Sequence, residues 1–187
     1  MLLKRTTAKA ASRVYKAFLK QYPNIKKLVD SDEEDIKIIL SPLGYSKRAH
    51  EIKNAAKFIA EHFRSGMPMD RDSLLEIPFI GNYTSNAILS ISYGRPYPMV
   101  DSNVNRILNR VYFGTNPPSG NISRDVMQIA QSVLPNKEHR LFNFTMLDLG
   151  GTLCLPRNPK CTICPLLEIC KFARKNKHAS QITKKYN

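Results

Sequence analysis

Apolar side chains recur along this chain at three- and four-residue intervals, the spacing of one face of a helix. Val14, Tyr15, Phe18, Leu19 and Tyr22 set the first such stripe, and Pro23 ends it. A second segment runs from Asp32 to Leu40, opening on acids that suit a helix N-terminus and stopping before Pro42-Leu43-Gly44. Ala49, Ile52, Ala56, Ile59 and Phe63 line one face of a helix over 46–63. A short helix follows over 72–77, then a longer one over 82–93 closed by Gly94. Beyond Asp101, the positions Val104, Ile107, Leu108 and Val111 turn inward together, and two further helices fit 122–134 and 138–150. Alternating runs joined by Asn-Gly or Asp-Gly turns, the mark of hairpin strands, do not occur. The pattern predicts an all-α fold in two lobes, residues 1–99 and 100–187, with Gly94-Arg95-Pro96-Tyr97-Pro98 as the crossing.

Composition narrows the class. With 187 residues, 42% of them apolar, the chain can bury a core and is no disordered tail, and no run of about 18 uncharged apolar residues exists to span a bilayer. The first residues, Met1-Leu2-Leu3-Lys4-Arg5, do not continue into the apolar stretch of a secretory signal. The formal charge is +14, from 29 Lys+Arg against 15 Asp+Glu. Five of those acids sit in residues 30–35, while from Lys171 onward there are six Lys/Arg and no acid. A surplus of that sign suits a polyanion, although charge alone does not separate DNA, RNA and anionic membrane.

All four cysteines fall between 154 and 170, spaced C-x6-C-x2-C-x5-C. A secreted disulfide framework would spread its bridges through the fold, so the clustering points to a reducing compartment and a metal site. Four thiolates can hold a zinc ion or a [4Fe–4S] cube. Zinc usually takes two close pairs, and only Cys161 and Cys164 form one here; the longer arms to Cys154 and Cys170 suit the larger cube. Chemistry alone leaves the group's role open among redox, structure, and the presentation of Arg157 and Lys160 to phosphate. The four histidines, His50, His62, His139 and His178, follow no ligand spacing.

Between the predicted helices at 72–77 and 82–93 lies Ile77-Pro78-Phe79-Ile80-Gly81, a tight turn. Gly81 permits close backbone approach, and the free N–H groups of the following helix make an anion site. Such a hairpin can hold a DNA phosphate without reading sequence; an ordinary helical corner has the same pattern. Further on, Asp101 in Met99-Val100-Asp101-Ser102-Asn103-Val104 stands where an N-cap belongs. A carboxylate there could both cap the helix and, facing a cleft, stabilise a cationic sugar or position water.

The order of hairpin, V-D-x-N-V-x-R block and C-x6-C-x2-C-x5-C loop resembles the helix-hairpin-helix DNA glycosylases of the endonuclease III superfamily, over nearly the whole chain. That resemblance implies a two-lobed α fold, a helical barrel carrying the hairpin at about 72–93 and an iron–sulfur lobe with its cluster loop at 154–170 and a basic tail. It implies cleavage of the N-glycosidic bond of a flipped base in double-stranded DNA, during base excision repair. Asp101 takes the catalytic aspartate's position, and Cys154, Cys161, Cys164 and Cys170 those of the [4Fe–4S] ligands. DNA contacts are implied for Pro78, Ile80, Gly81, Asn82 and Thr84, and for Arg5 and Tyr45. The second catalytic position falls on Tyr83, where bifunctional members carry a lysine that forms a Schiff base. Tyr83 has no amine and no Lys occurs from 67 to 136, so a monofunctional glycosylase is expected, a monomer inside the cell near its DNA and away from membranes.

Two subfamilies compete for the excised base. Residues 2–8 and Gly81-Asn82-Tyr83-Thr84 look like the archaeal G/T-mismatch thymine and uracil glycosylases, whereas Leu43-Gly44-Tyr45 resembles the A/G-mismatch adenine glycosylases. The latter usually show Gln-Gln-Thr where this chain has Lys4-Arg5-Thr6, and carry a C-terminal domain for which the seventeen residues after Cys170 are too few. Thymine or uracil opposite guanine is therefore the expected substrate, with adenine as the alternative and a non-catalytic iron–sulfur DNA-binding module as a different class. Two departures stand out: Phe79 occupies the place of the hairpin's usual first Gly, and the sequence starts a helix or more into the family's fold. Either the protein is a minimal form or Met1 is not the true start.

Overall fold

Short caps and helical stripes build the chain as expected. The computed structural model describes residues 8–64, 66–117 and 122–176, and among these there are ten α-helices and no strand. They are α1 (Ala8–Gln21), α2 (Ile25–Val29), α3 (Glu33–Leu40), α4 (Ala49–His62), α5 (Arg71–Glu76), α6 (Asn82–Ala87), α7 (Ser102–Leu108), α8 (Arg124–Val133), α9 (His139–Thr152) and α10 (Lys171–Lys175). Both α6 and α7 run on into π-helical turns, over Ile88–Ser92 and Asn109–Phe113. No helix among the described residues is long and apolar enough to cross a membrane.

Two helices escaped the periodicity. α2 and α10 have five residues each, too few to show a repeat, and α2 forms because the Asn24 side chain accepts the Lys27 N–H at 2.9 Å. The expected helix over 46–63 starts with a 3-10 turn at Ser46–Arg48 before α4. Asp32 caps α3 by accepting the Glu34 N–H at 3.0 Å, and Asp70 caps α5 by accepting that of Ser73 at 2.9 Å.

The chain divides into two units, 1–85 and 86–187, with the division inside α6. Residues 86–99, assigned by the sequence pattern to the first lobe, bond within the second. Asn143 on α9 donates to Ser90 Oγ (3.1 Å) and to the Tyr97 carbonyl (2.9 Å), and accepts the Met99 N–H (3.0 Å). Asn86 donates to the Pro98 carbonyl at 2.9 Å. One buried asparagine thus ties the proline-rich connection to α9, a bonding pattern that no apolar periodicity reveals.

In the first unit, Val14, Tyr22, Ile36, Leu40, Leu43 and Ala49 form the core, with Phe18 set edge-on to Tyr22 at 5.0 Å. The second unit is built around α7, in which Val104 to Leu108 are all buried. Val104 and Leu108 pack on Val126 and Ala130 of α8, while Ile107 and Val111 pack on Leu149 of α9 and on the cysteine loop. α9 lies so near α7 that a Cβ on Gly150 would stand 2.6 Å from Asn103 Cβ. Overpacking of this kind typically costs about 1–3 kcal/mol. Gly150→Ala should therefore lower the thermal midpoint by about 5 °C, followed by circular dichroism, with no change in helix content at low temperature.

Candidate functional site

Three groups of residues are candidates for the chemistry, one in the first unit and two in the second. The hairpin belongs to the first. α5 and α6 are joined through Ile77–Gly81, where the Ile80 N–H donates to the Ile77 carbonyl at 3.1 Å. Arg71 Nη2 reaches across to Asn82 Oδ1 at 2.6 Å and fastens the two helices together. The left-handed residue of the turn is Phe79, with φ +65°, and not Gly81. Gly81 is exposed, and a Cβ there would meet no atom within 4 Å, so its backbone is open to an approaching group.

Pro78, Ile80 and Thr84 are half-buried and line an apolar cavity with Ile52 and Ile59 of α4. The parts of the hairpin most open to another molecule are therefore its backbone at Gly81 and the exposed Phe79 and Asn82. Tyr45 packs partly on the first core with the Arg48 guanidinium 5.7 Å from its ring centre. Tyr83 is half-buried at the start of α6. Arg5 and His178 lie outside the described residues. Of the other histidines, His50 sits 3.1 Å from Glu33 Oε2, and His139 is buried with neither ring nitrogen hydrogen-bonded.

Asp101 opens α7 in the second unit and is half-buried. Its Oδ1 accepts the N–H groups of Asn103 (2.8 Å) and Val104 (2.9 Å), and its Oδ2 accepts from Asn103 Nδ2 at 3.2 Å. The carboxylate is therefore fixed in direction as well as stabilised by the positive end of the helix. The fixing continues inward. Asn103 Oδ1 accepts from Arg106 Nη2 at 2.9 Å, the same nitrogen donates to the Gly150 carbonyl at 2.8 Å, and Arg106 Nε donates to the Cys154 carbonyl at 2.8 Å. Burial, chiefly, holds the Arg106 guanidinium below its ordinary pKa, with nearby Cys154 acting the other way.

Four residues on, Arg110 is almost wholly buried and lies over the Phe172 ring at 4.6 Å. It donates to the Leu155 carbonyl (2.7 Å), the Pro156 carbonyl (3.0 Å), Asn116 Oδ1 (2.8 Å) and Cys154 Sγ (3.3 Å). Asn103, Arg106 and Arg110 were absent from the sequence-based site. Their signal was available: two arginines one turn apart, on a helix whose Val104, Ile107, Leu108 and Val111 were expected to turn inward, require partners.

Cys154, Cys161, Cys164 and Cys170 all line one cavity beside Arg110 and Leu149. Among the described residues no three His, Cys, Asp or Glu side chains converge as they would around a single metal ion. Four sulfurs around a shared space suit the wider spacing of a cube. Burial first, and repulsion from the other sulfurs, push the Cys161 thiol up; burial also raises Cys164. A set of thiolates is thus disfavoured without positive charge at its centre, which iron supplies. Arg157 and Lys160 on the loop are exposed.

Comparison with known proteins agrees with this layout. Residues 1–132 match the family described as HhH-GPD superfamily base excision DNA repair protein, and residues 154–170 match the iron–sulfur binding domain of endonuclease III. The four cysteines accordingly hold a [4Fe–4S] cluster. The chain is 37% identical over 172 residues to an adenine DNA glycosylase of Buchnera aphidicola, covering 91% of this chain and 49% of that protein. It is 33% identical over 180 residues to a thymine/uracil-DNA glycosylase of Pyrobaculum aerophilum, covering 94% and 78%. The chain therefore spans about half the length of the first relative and more of the second. Among solved structures, a thermostable thymine-DNA glycosylase superposes with a TM-score of 0.84 at 29% identity, covering 93% of this chain and 81% of that one.

Removing Arg110 tests the support of the cysteine loop. Arg110→Met removes the charged donor from the carbonyls of Leu155 and Pro156, at about 1.5–3 kcal/mol for each hydrogen bond lost. Iron per chain and the absorbance near 400 nm should both fall, while helix content by circular dichroism is retained.

Proposed function

The chain belongs to the HhH-GPD superfamily of base excision DNA repair proteins, and on that premise we propose that it is a monofunctional DNA glycosylase releasing thymine or uracil from opposite guanine. The observation that carries the reading is the fixed Asp101 carboxylate, capping a buried helix and locked by Asn103.

In this reading the hairpin backbone around Gly81 and Asn82 holds a phosphate, and the charge surplus of the chain draws in the duplex. Leaving the stack costs the target base a few kcal/mol, less at a mismatch, which favours mispaired bases. As the glycosidic bond lengthens, the sugar gains oxocarbenium character. Asp101 faces that positive charge and orients the attacking water, and its rigidity means little reorganisation at the moment of reaction. Tyr83 contacts the extruded base. Having no amine, it forms no imine with the sugar, so the strand stays intact. The cluster supplies the bonded frame of the loop, and Arg110 and Arg106 tie that loop to the helix that carries Asp101.

Thymine or uracil is supported by the 0.84 superposition on a thymine-DNA glycosylase and by the likeness of Gly81-Asn82-Tyr83-Thr84 to that group. Adenine release is the second reading, favoured by the 37% identity to an adenine DNA glycosylase.

Incubation with G/T, G/U and A/G duplexes distinguishes the two. Products should appear from G/T and G/U only after alkali; strand breaks without alkali would remove the monofunctional assignment, and cleavage of A/G alone would select the second reading. Asp101→Asn should lower base release by about 10²–10³-fold while duplex binding stays near wild type. Retained turnover in that variant would mean another group carries the charge.

A further inference from the structure

The hairpin turn contains a bulky residue in a conformation that favours glycine. Phe79 has φ +65°, where the Cβ of an L-residue crowds its own backbone, and such positions persist when the surroundings impose them. Its ring gives the core little in return, since Phe79 remains 51% exposed. It lines an apolar cavity of about 220 Å3 with Pro78, Ile80 and Met67, and roughly half its surface is turned to solvent. Exposed apolar residues on their own are ordinary. An exposed aromatic ring on a left-handed backbone, beside the open Gly81, is not, because glycine in its place would relieve the turn.

We propose that Phe79 is a DNA-contact residue whose ring packs against the deoxyribose next to the phosphate held by the hairpin. The inference rests on the glycosylase reading of this chain. The chemistry is apolar: sugar C–H groups flank every backbone phosphate, and a ring beside an open backbone segment covers them as that segment meets the phosphate. The contact carries no charge and releases no counterion. It therefore contributes affinity that is independent of salt, alongside the salt-dependent part supplied by lysines and arginines.

The experiment uses the full, cluster-loaded protein and a fluorescein-labelled undamaged duplex, with Kd measured by anisotropy across a salt series and Tm measured in parallel. Phe79→Gly should weaken binding by about five- to tenfold, the scale of one lost apolar contact, with an unchanged slope of log Kd against log salt and a Tm equal to or above wild type. Phe79→Ala should lose the same affinity but melt below Phe79→Gly, since it keeps the strain. Phe79→Tyr should bind like the parent. Wild-type affinity in Phe79→Gly would overturn the contact, and so would a changed salt slope, which would mean that the ring only shapes the phosphate grip. If the parent protein bound no duplex, the glycosylase reading would fall with it; if the parent bound and excised bases normally while Phe79→Gly bound equally well, only this inference would fail.

Discussion

Two buried guanidinium groups on one helix are the constraint around which the second unit is arranged. A charge removed from water is tolerated only when its donors are met, and Arg106 and Arg110 meet theirs on the main-chain carbonyls of Gly150, Cys154, Leu155 and Pro156, with Asn103, Asn116 and the Cys154 sulfur taking the rest. Carbonyls at those positions cannot wander without stranding a cation. The end of α9 and the first part of the cysteine loop are thereby held to α7, and the same network reaches Asp101 through Asn103. Rigidity at the carboxylate and order in the loop are two ends of one set of hydrogen bonds.

The apolar pattern made most of this fold legible. Helices with at least two turns and one greasy face were found to within a few residues, as with α3, α4, α8 and α9, because burial of a stripe is what stabilises them. α2 and α10 were missed because five residues show no period. The division inside α6 was missed because it depends on where Asn143 sends its hydrogen bonds, and a buried polar residue leaves no periodic trace.

Of the candidate site, the parts set by local chemistry could be read directly. An aspartate before an apolar helix is a cap, and four clustered cysteines are a ligand set. What escaped were partners far apart in sequence, such as Arg106 with Gly150 and Cys154 or Arg110 with Pro156. The hairpin was legible in part. Gly81 was expected to allow close backbone approach and its backbone is open, whereas the left-handed conformation of Phe79 had no signal in its residue type. Pro78 and Ile80, expected as contacts with DNA, are half-buried and line a cavity of their own unit.

The four cysteines are not equivalent in how they are anchored. Cys154 has its N–H bonded to the Leu149 carbonyl at the end of α9, its carbonyl bonded to Arg106 and its sulfur bonded to Arg110, whereas Cys161 and Cys164 sit on a single short turn of loop. Cys170 is anchored too, at the start of α10 with its sulfur donating to the Arg110 carbonyl, so the outer two ligands stand on helix ends and the inner pair on the loop between them. A site strung between two helix ends has its span set by the scaffold, so its size follows from how α9 and α10 sit on α7 and not from the loop alone.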